Sequence, residues 1–173
     1  MDLIPATEDD LPAVVALVNS AYRGDSSRVG WATEADYLGG QRTDVDTLRE
    51  DLAATQGAAL LTARLADGAM HCAVWIEPAG DDAWYLGMLT VRPDLQAGGH
   101  GRALLAAAEN AVRARGGRRV RMTVITIRDT LIAWYQRRGY ALTDERRPFP
   151  YGDERFGLPT RDDLEFVVME KVL

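Results

Sequence analysis

The feature that most constrains the fold is a glycine-rich turn between a strand and a helix near the middle of the chain. Residues 84–91 are predicted as a strand, and residues 101–115 carry apolar side chains at helical spacing. Between them Gly98, Gly99 and Gly101 let the backbone turn tightly without a Cβ atom in the way. The first turn of the helix leaves backbone N–H groups unpaired at the positive end of the helix dipole. The unit therefore predicts an anion site, most naturally for a phosphate or pyrophosphate.

Three consecutive strands lead into this turn. Residues 58–66, 70–77 and 84–91 have strand composition, and Asp67-Gly68 and residues 78–82 supply turns between them. Such a run predicts an antiparallel meander. The remaining elements are predicted as helices at 7–22, 44–55 and 129–138 and as strands at 2–6, 119–126, 140–146 and 164–172. This order predicts a mixed α/β fold, with one domain over residues 1–173.

Composition excludes several classes of protein. The 173 residues are 47% hydrophobic and carry a net charge of −6, which is typical of a globular domain and argues against a broad nucleic-acid surface. No run of about 18 apolar residues could span a membrane. Cys72 is the only cysteine and His71 and His100 are the only histidines, so neither a disulfide nor a structural zinc site is expected. Residues 1–5 lack the pattern of a signal peptide, and a cytoplasmic location is expected.

The glycine turn is not a nucleoside-triphosphate loop, because it lacks Gly-Lys-Ser/Thr, and it lacks a full Gly-x-Gly-x-x-Gly. Its pattern is Gln-x-x-Gly-x-Gly at Gln96, Gly99 and Gly101, preceded by Val-x-Pro at Val91 and Pro93. That pattern resembles the acetyl-coenzyme-A (acetyl-CoA) loop of the GNAT N-acetyltransferase superfamily. The alternative is a glycine turn that only caps a helix.

A second segment, residues 131–140, resembles the other signature of that superfamily, a helix ending Tyr-x-x-x-Gly-Phe/Tyr. Here the matching residues are Tyr135, Gly139 and Tyr140. The resemblance implies a GNAT-like acyl-CoA N-acyltransferase fold, a mixed and mostly antiparallel sheet with splayed central strands flanked by helices. It also implies acetyl-CoA as co-substrate, bound between the splayed strands, and no metal.

The resemblance implies a set of cofactor-binding residues. Backbone groups at 89–91 would pair with the pantetheine arm, and amides at 97–102 would hold the pyrophosphate. Gln96 would brace the loop or touch a phosphate. Arg128 stands where many members carry a cofactor-contacting asparagine, and an arginine there could reach a phosphate. The full set is Leu89, Thr90, Val91, Gln96, Ala97, Gly98, Gly99, His100, Gly101, Arg102 and Arg128.

Tyr135 matches the tyrosine that commonly protonates the departing thiolate in this superfamily. A phenol can donate a proton to the sulfur anion that acyl transfer expels, and a backbone N–H near Leu89 could polarise the thioester carbonyl. The alternative for Tyr135 is core packing beside Trp134. Cys72 is interpreted as a small core residue in a strand far from the loop, with no nucleophilic role.

The acceptor side is expected to come from residues 22–36 and 148–160. Glu34 could pair with an ammonium group or act as the base, and Trp31 could form a wall; alternatively, residues 33–36 start a helical turn and Trp31 fills the core. Tyr85 stands where some members carry a glutamate base. Residues 148–160 could cover the acceptor, form a homodimer contact, or be a plain surface loop.

These observations predict an enzyme that moves an acetyl group from acetyl-CoA to a primary amine by direct attack. The acceptor would be a small molecule, an amino-acid-like compound or a peptide, and acidic residues in the suspected loops favour a cationic one. The arginines at positions 113–121 could attract a phosphate or form a solvated helix end. The alternative function is a non-catalytic acyl-CoA-binding sensor or regulatory module.

Overall fold

A seven-stranded sheet forms the centre of the computed structural model, which describes residues 1–173. The strand order is β1-β3-β4-β5-β6-β9-β7, and a separate two-stranded ribbon joins β2 to β8. The helices are α1 Leu11–Tyr22, α2 Val45–Ala54, α3 His100–Ala114 and α4 Asp129–Gln136. The strands are β1 Ile4–Pro5, β2 Leu38–Gly39, β3 Ala59–Arg64, β4 Met70–Pro78, β5 Ala83–Val91, β6 Arg119–Ile125, β7 Ala141–Pro148, β8 Leu158–Pro159 and β9 Glu165–Val172.

The predicted meander and the mixed, mostly antiparallel sheet are both confirmed. β3 pairs with β4, and β4 with β5, in antiparallel register. Strand β5 pairs in parallel with β6 only from Ala83↔Arg119 to Tyr85↔Arg121, after which the two strands separate. At Met88 the backbone is left-handed (φ 51°), and the β4–β5 register shifts there. This bulge turns the end of β5 away from its straight path and opens a gap on the β6 side.

Helices cover both faces of the sheet. On one face α3 contributes Leu104, Leu105, Ala108 and Val112 to the larger apolar cluster, which also contains Tyr135. On the other face the apolar stripe of α1 packs with residues of α2, β3 and β4 in a second cluster. The helical spacing seen in the sequence is what directs these stripes to the sheet. No helix combines the length and the apolar composition that crossing a membrane requires.

The strands that the sequence did not predict lie in the two loop segments. Residues 23–40 contain a 3-10 turn at Asp25–Val29 and the two residues of β2. Residues 148–160 contain a 3-10 turn at Glu154–Phe156 and the two residues of β8. Strands of two residues have no periodicity to read, so only the partner strand identifies them.

Candidate active site

The gap between β5 and β6 holds two cavities that meet at its middle. One, which we call the glycine-loop cleft, lies between the turn before α3 and helix α4 and has a volume of about 590 Å³. The other, which we call the arginine cavity, lies toward α1, β2 and residues 149–156 and has a volume of about 790 Å³. Five residues line both cavities: Tyr22, Leu89, Arg128, Leu131 and Tyr135.

The glycine turn provides the backbone wall of the cleft. A 3-10 turn over Pro93–Gly98 ends at Gly99, which is left-handed (φ 79°) and caps α3 without a side-chain hydrogen bond. The first helical hydrogen bond runs from the Ala103 N–H to the Gly99 carbonyl at 3.1 Å. The amides before Ala103 therefore have no intrahelical acceptor and face the region where an anion would be held.

Only part of the predicted loop set lines the cleft directly. Gln96, Gly99, Gly101 and Arg102 line it, together with Leu89 and Val91 from β5. Four predicted residues belong to the same strand and turn but do not line it: Thr90, Ala97, Gly98 and His100. The ring of His100 instead packs edge-on against His71, with 5.5 Å between ring centroids.

Gln96 braces the loop, as one of its two predicted roles required. Its Oε1 atom accepts hydrogen bonds from the amides of Trp31 (2.8 Å) and Ala32 (3.2 Å), and its Nε2 atom donates to the Val91 carbonyl (3.1 Å). The contact is close because Gly30 has no side chain: a Cβ atom there would lie 2.3 Å from Oε1 of Gln96. Gln96 thus ties the glycine turn to the segment that follows α1.

Aromatic and cationic side chains form the outer wall of the cleft. The rings of Trp31 and Trp134 lie 5.8 Å apart, and the Arg138 guanidinium stacks on Trp134 at 3.6 Å. Arg102 and Arg138 both line the cleft and add positive charge to it. Trp31 is 44% exposed, so the expectation that it fills the core is wrong, and it lines the cleft rather than the arginine cavity. Sequence reasoning missed Arg138, although it follows Tyr135 by three positions.

The arginine cavity is named for a cluster of buried charges. The Glu34 carboxylate forms ion pairs with Arg23 and with Arg128 (3.2 Å). The Arg23 side chain is only 4% exposed, and those of Glu34 and Arg128 are each 10% exposed. Arg128 also donates to the Ala32 carbonyl at 2.9 Å. The side chain that the sequence assigned to a phosphate therefore lies against Glu34.

The local structure around Glu34 is the helical turn that the sequence offered as one alternative. The amides of Tyr37 (3.1 Å) and Leu38 (2.8 Å) donate to the Glu34 carbonyl. With its carboxylate engaged by two guanidinium groups, Glu34 serves the structure as a counter-charge. Neither a free base nor an open partner for an ammonium group is found at this position.

The rest of the arginine cavity comes from elements far apart in the sequence. Arg42 lines it from the loop before α2, and Tyr85 lines it from β5, with its hydroxyl 3.1 Å from that of Thr123. Three phenylalanines close the apolar side: Phe149, Phe156 and Phe166. Residues 148–160 therefore cover this cavity, held by the β2–β8 ribbon and by an Arg23 hydrogen bond to the Phe156 carbonyl (3.3 Å). Sequence reasoning missed Arg23 and Arg42.

Two tyrosines stand where the cavities meet. The Tyr22 hydroxyl donates to the Leu89 carbonyl at 2.6 Å, so that carbonyl faces the gap between β5 and β6. In an extended strand the N–H and C=O of one residue project to the same side, and the Leu89 amide therefore faces the gap as well. Tyr135 is buried, and its pKa is raised chiefly by burial and also by the neighbouring Tyr22. Its phenol therefore stays protonated at neutral pH.

Three further expectations are settled by position. Cys72 is fully buried, as predicted for a core residue, but it is not far from the loop, since it pairs with Val91 at the end of β5. Burial raises the pKa of its thiol to about 12.

The arginines at 113–121 extend from the far end of α3, and the ion pairs of Arg119 with Asp82 and of Arg121 with Glu145 favour the solvated alternative.

Acidic residues of the two loops are consumed by ion pairs within the protein. Asp36 pairs with Arg28 at 2.6 Å, and Asp153 pairs with Arg155 at 2.6 Å, both on the surface. Glu34 is the one acidic residue of these loops that lines the arginine cavity, and it is paired with Arg23 and Arg128, so the loop acids leave no unpaired negative charge there.

Comparisons with known proteins agree with this geometry. The model of the acetyltransferase (GNAT) family matches residues 28–140. The ribosomal-protein-alanine N-acetyltransferase from Brucella melitensis has a TM-score of 0.72 and 22% identity, with 100% of both chains covered. Salmonella typhimurium yncA, solved with its cofactor acetyl-CoA, has a TM-score of 0.69 and 19% identity over 100% of this chain and 94% of that one. No curated protein sequence matches the chain. At these identities the structural likeness concerns the fold.

Proposed function

The chain belongs to the GNAT acetyltransferase family, and on that premise we propose that it moves an acetyl group from acetyl-CoA to a primary amine. The observation that carries the proposal is the meeting of two cavities at Tyr22, Leu89 and Tyr135. One cavity has the loop amides and arginines that suit a diphosphate, and the other has room for an acceptor. The reacting carbonyl would lie where they join.

The residues of the glycine-loop cleft fit the coenzyme. Amides of the turn, with the positive end of α3, would hold the pyrophosphate, and Arg102 and Arg138 would add charge from the cleft wall. The pantetheine arm would run along the open side of β5, at Leu89 and Val91. Because Tyr22 already donates to the Leu89 carbonyl, the Leu89 amide is the group left for the thioester or the pantetheine.

Transfer then proceeds by direct attack. The neutral amine nitrogen forms a bond to the thioester carbon, and the oxygen that gains negative charge accepts a hydrogen bond from the Leu89 amide. Collapse of this tetrahedral species breaks the carbon–sulfur bond. The sulfur takes the proton of the Tyr135 hydroxyl, and the tyrosinate recovers a proton from the new ammonium nitrogen through water. No covalent bond to the protein forms.

Deprotonation of the incoming amine is assigned to solvent. Glu34 is the only carboxylate among the residues that line the arginine cavity, and both of its neighbours are guanidinium groups. A carboxylate held in this way has its lone pairs directed at two cations. We therefore propose that the acceptor loses its proton to a water chain before attack.

Release of free thiol tests the proposal. The purified protein is mixed with acetyl-CoA and a panel of primary amines, thiol is followed with a chromogenic disulfide, and mass spectrometry identifies the acetylated product. Amine-dependent thiol release is expected. Binding of acetyl-CoA with no release on any amine would contradict a transferase and favour the sensor alternative.

A further inference from the structure

We propose that the acceptor is an amine that also carries a carboxylate, an amino-acid-like molecule whose acid group binds in the arginine cavity. This inference rests on the proposed function and deepens it by naming the substrate class. It runs against the acidic composition of the chain, since it depends on the charges that line one cavity rather than on the net charge.

The first support is the charge balance of the cavity lining. Three guanidinium groups line it, those of Arg23, Arg42 and Arg128, whereas Glu34 is the single carboxylate. One carboxylate leaves an excess of two positive charges in a site lined mostly by apolar side chains. Charges in such surroundings are costly unless they are paired, so the cavity favours an anionic group on its ligand.

The second support is unused hydrogen-bonding capacity. The Arg23 side chain is 4% exposed, and its Nε atom is buried without a hydrogen-bond partner. The Arg42 side chain is partly buried and forms no ion pair or side-chain hydrogen bond within the protein. A guanidinium presents donors in a fixed fork that matches the two oxygens of a carboxylate. Arg42 is therefore the group we assign to first contact with the acid.

The third support is the position of these groups relative to the coenzyme. Arg23 and Arg42 line the arginine cavity and do not line the glycine-loop cleft, so they are not needed for the phosphates. Tyr135 lines both cavities and so marks their junction. An amino acid bound with its carboxylate at Arg42 would direct its amine toward that junction. The phenylalanine side of the cavity would accept an apolar side chain.

Matched acceptors test the inference. Methionine is compared with 3-(methylthio)propylamine, and phenylalanine with phenethylamine, by kcat/KM for acetylation in the wild type. We expect each amino acid to be preferred by roughly tenfold or more, as for the loss of a hydrogen bond to a charged group. Faster or equal acetylation of the decarboxylated amines would overturn the inference while leaving the transferase reaction intact.

Substitution of Arg42 locates the effect. In Arg42→Gln the preference should fall by roughly tenfold from its wild-type value, and Arg42→Lys should restore part of it. Arg49→Gln, a change of a nearby exposed arginine on α2, serves as the matched control and should keep the full preference. The ratio between wild type and variant cancels the different basicities of the amines. A preference that survives Arg42→Gln unchanged would overturn the assignment.

Binding provides a readout that does not need turnover. With CoA present, calorimetry compares N-acetylmethionine with N-acetyl-3-(methylthio)propylamine. Tighter binding of the carboxylated compound, lost in Arg42→Gln, supports the inference even if no acceptor is acetylated, in which case only the transferase proposal fails. Equal binding of the two compounds overturns the inference.

Discussion

The glycine-loop cleft and the arginine cavity adjoin each other, yet different parts of the chain form them. The cleft is made largely by backbone groups of one continuous segment, the end of β5, the glycine turn and the start of α3. The cavity is made largely by side chains from α1, residues 23–42, β5, residues 122–135 and residues 149–166. A backbone site tolerates most side chains around it, whereas a side-chain site changes character with each substitution.

The difference suggests how one fold can keep its coenzyme and change its acceptor. Loop amides supply the same donors whatever the neighbouring residues are, provided glycine is kept where the turn needs it. Charge in the cavity depends on four side chains, three positive arginines and one negative glutamate.

At the junction of the two cavities, substitution of Tyr135 should have the largest effect on turnover. Tyr135→Phe should lower kcat by about 100-fold, within the range for loss of a general acid, while the Kd for acetyl-CoA changes little. Stopped-flow or steady-state thiol release measures it. Tyr140→Phe is the matched control, because this buried tyrosine lies 5.6 Å from Tyr135, between ring centroids, but lines neither cavity. Full activity of Tyr135→Phe would remove the residue from the mechanism.

In the arginine cavity, Glu34→Gln should act on stability. The change leaves two buried guanidinium groups without their counter-charge and should lower the free energy of unfolding by about 3 kcal/mol. Urea denaturation measures it. Asp36→Asn removes the exposed pair with Arg28 and should cost less than about 1 kcal/mol. If Glu34→Gln instead lowers kcat alone and leaves stability unchanged, the carboxylate acts as the base.

In the cleft, the sensitive position should be a glycine. Gly30→Ala places a Cβ atom 2.3 Å from Oε1 of Gln96 and should break the brace, raising the KM for acetyl-CoA about tenfold through lost hydrogen bonds. Gln96→Ala should have a similar effect. Gly39→Ala is the control, because its Cβ atom would meet its nearest neighbour at 3.7 Å. An unchanged KM in both Gly30→Ala and Gln96→Ala would show that the loop holds its shape without the brace.

The smallest effect is expected at Cys72, under the end of β5. Cys72→Ala should keep turnover and lose about 1 kcal/mol of stability at pH 8. Burial raises the pKa of the Cys72 thiol from an ordinary 9 to about 12, so the folded thiol keeps its proton to a higher pH than the unfolded one. Wild-type stability should therefore fall as the pH rises from about 9 toward 12, and this part of the fall should be missing in the variant.

Urea titrations of both proteins at pH 8 and pH 10 separate the thiol from the tyrosines, which the two proteins share. A parallel loss of stability in wild type and variant would show that the thiol does not contribute. A large loss of turnover in Cys72→Ala would place the residue in the chemistry.

The same contrast explains which parts of the site could be predicted from the sequence. The cleft could be predicted because its strand, its glycines and its helix are consecutive in the chain. Tyr135 lies in the next helix, α4. Gln96 hydrogen-bonds within the glycine turn region and Tyr135 lines both cavities, while their roles toward the coenzyme stay predictions. The family match over residues 28–140 confirms the resemblance that these local patterns carried.

The arginine cavity could not be predicted in the same way. No local sequence pattern links Arg23 to Arg128. Glu34 is predicted as a free acid because its two partners come from other parts of the chain. Periodicity reports which face of an element is buried, but not which two side chains a tertiary fold brings together. The charge sign of the cavity is therefore a property of the folded molecule alone.

The hydrogen bond from Arg23 to the Phe156 carbonyl has a consequence for how the protein folds. The two residues are 133 positions apart in the chain. Contacts of such long sequence separation form slowly, because the intervening chain must lose conformational entropy before the contact can stabilise the fold. During synthesis the meander and the glycine turn emerge well before residues 148–160 do. The strand and the glycine turn of the cleft are thus synthesised early. The arginine cavity is complete, and can select an acceptor, only after residues 148–160 have packed over it.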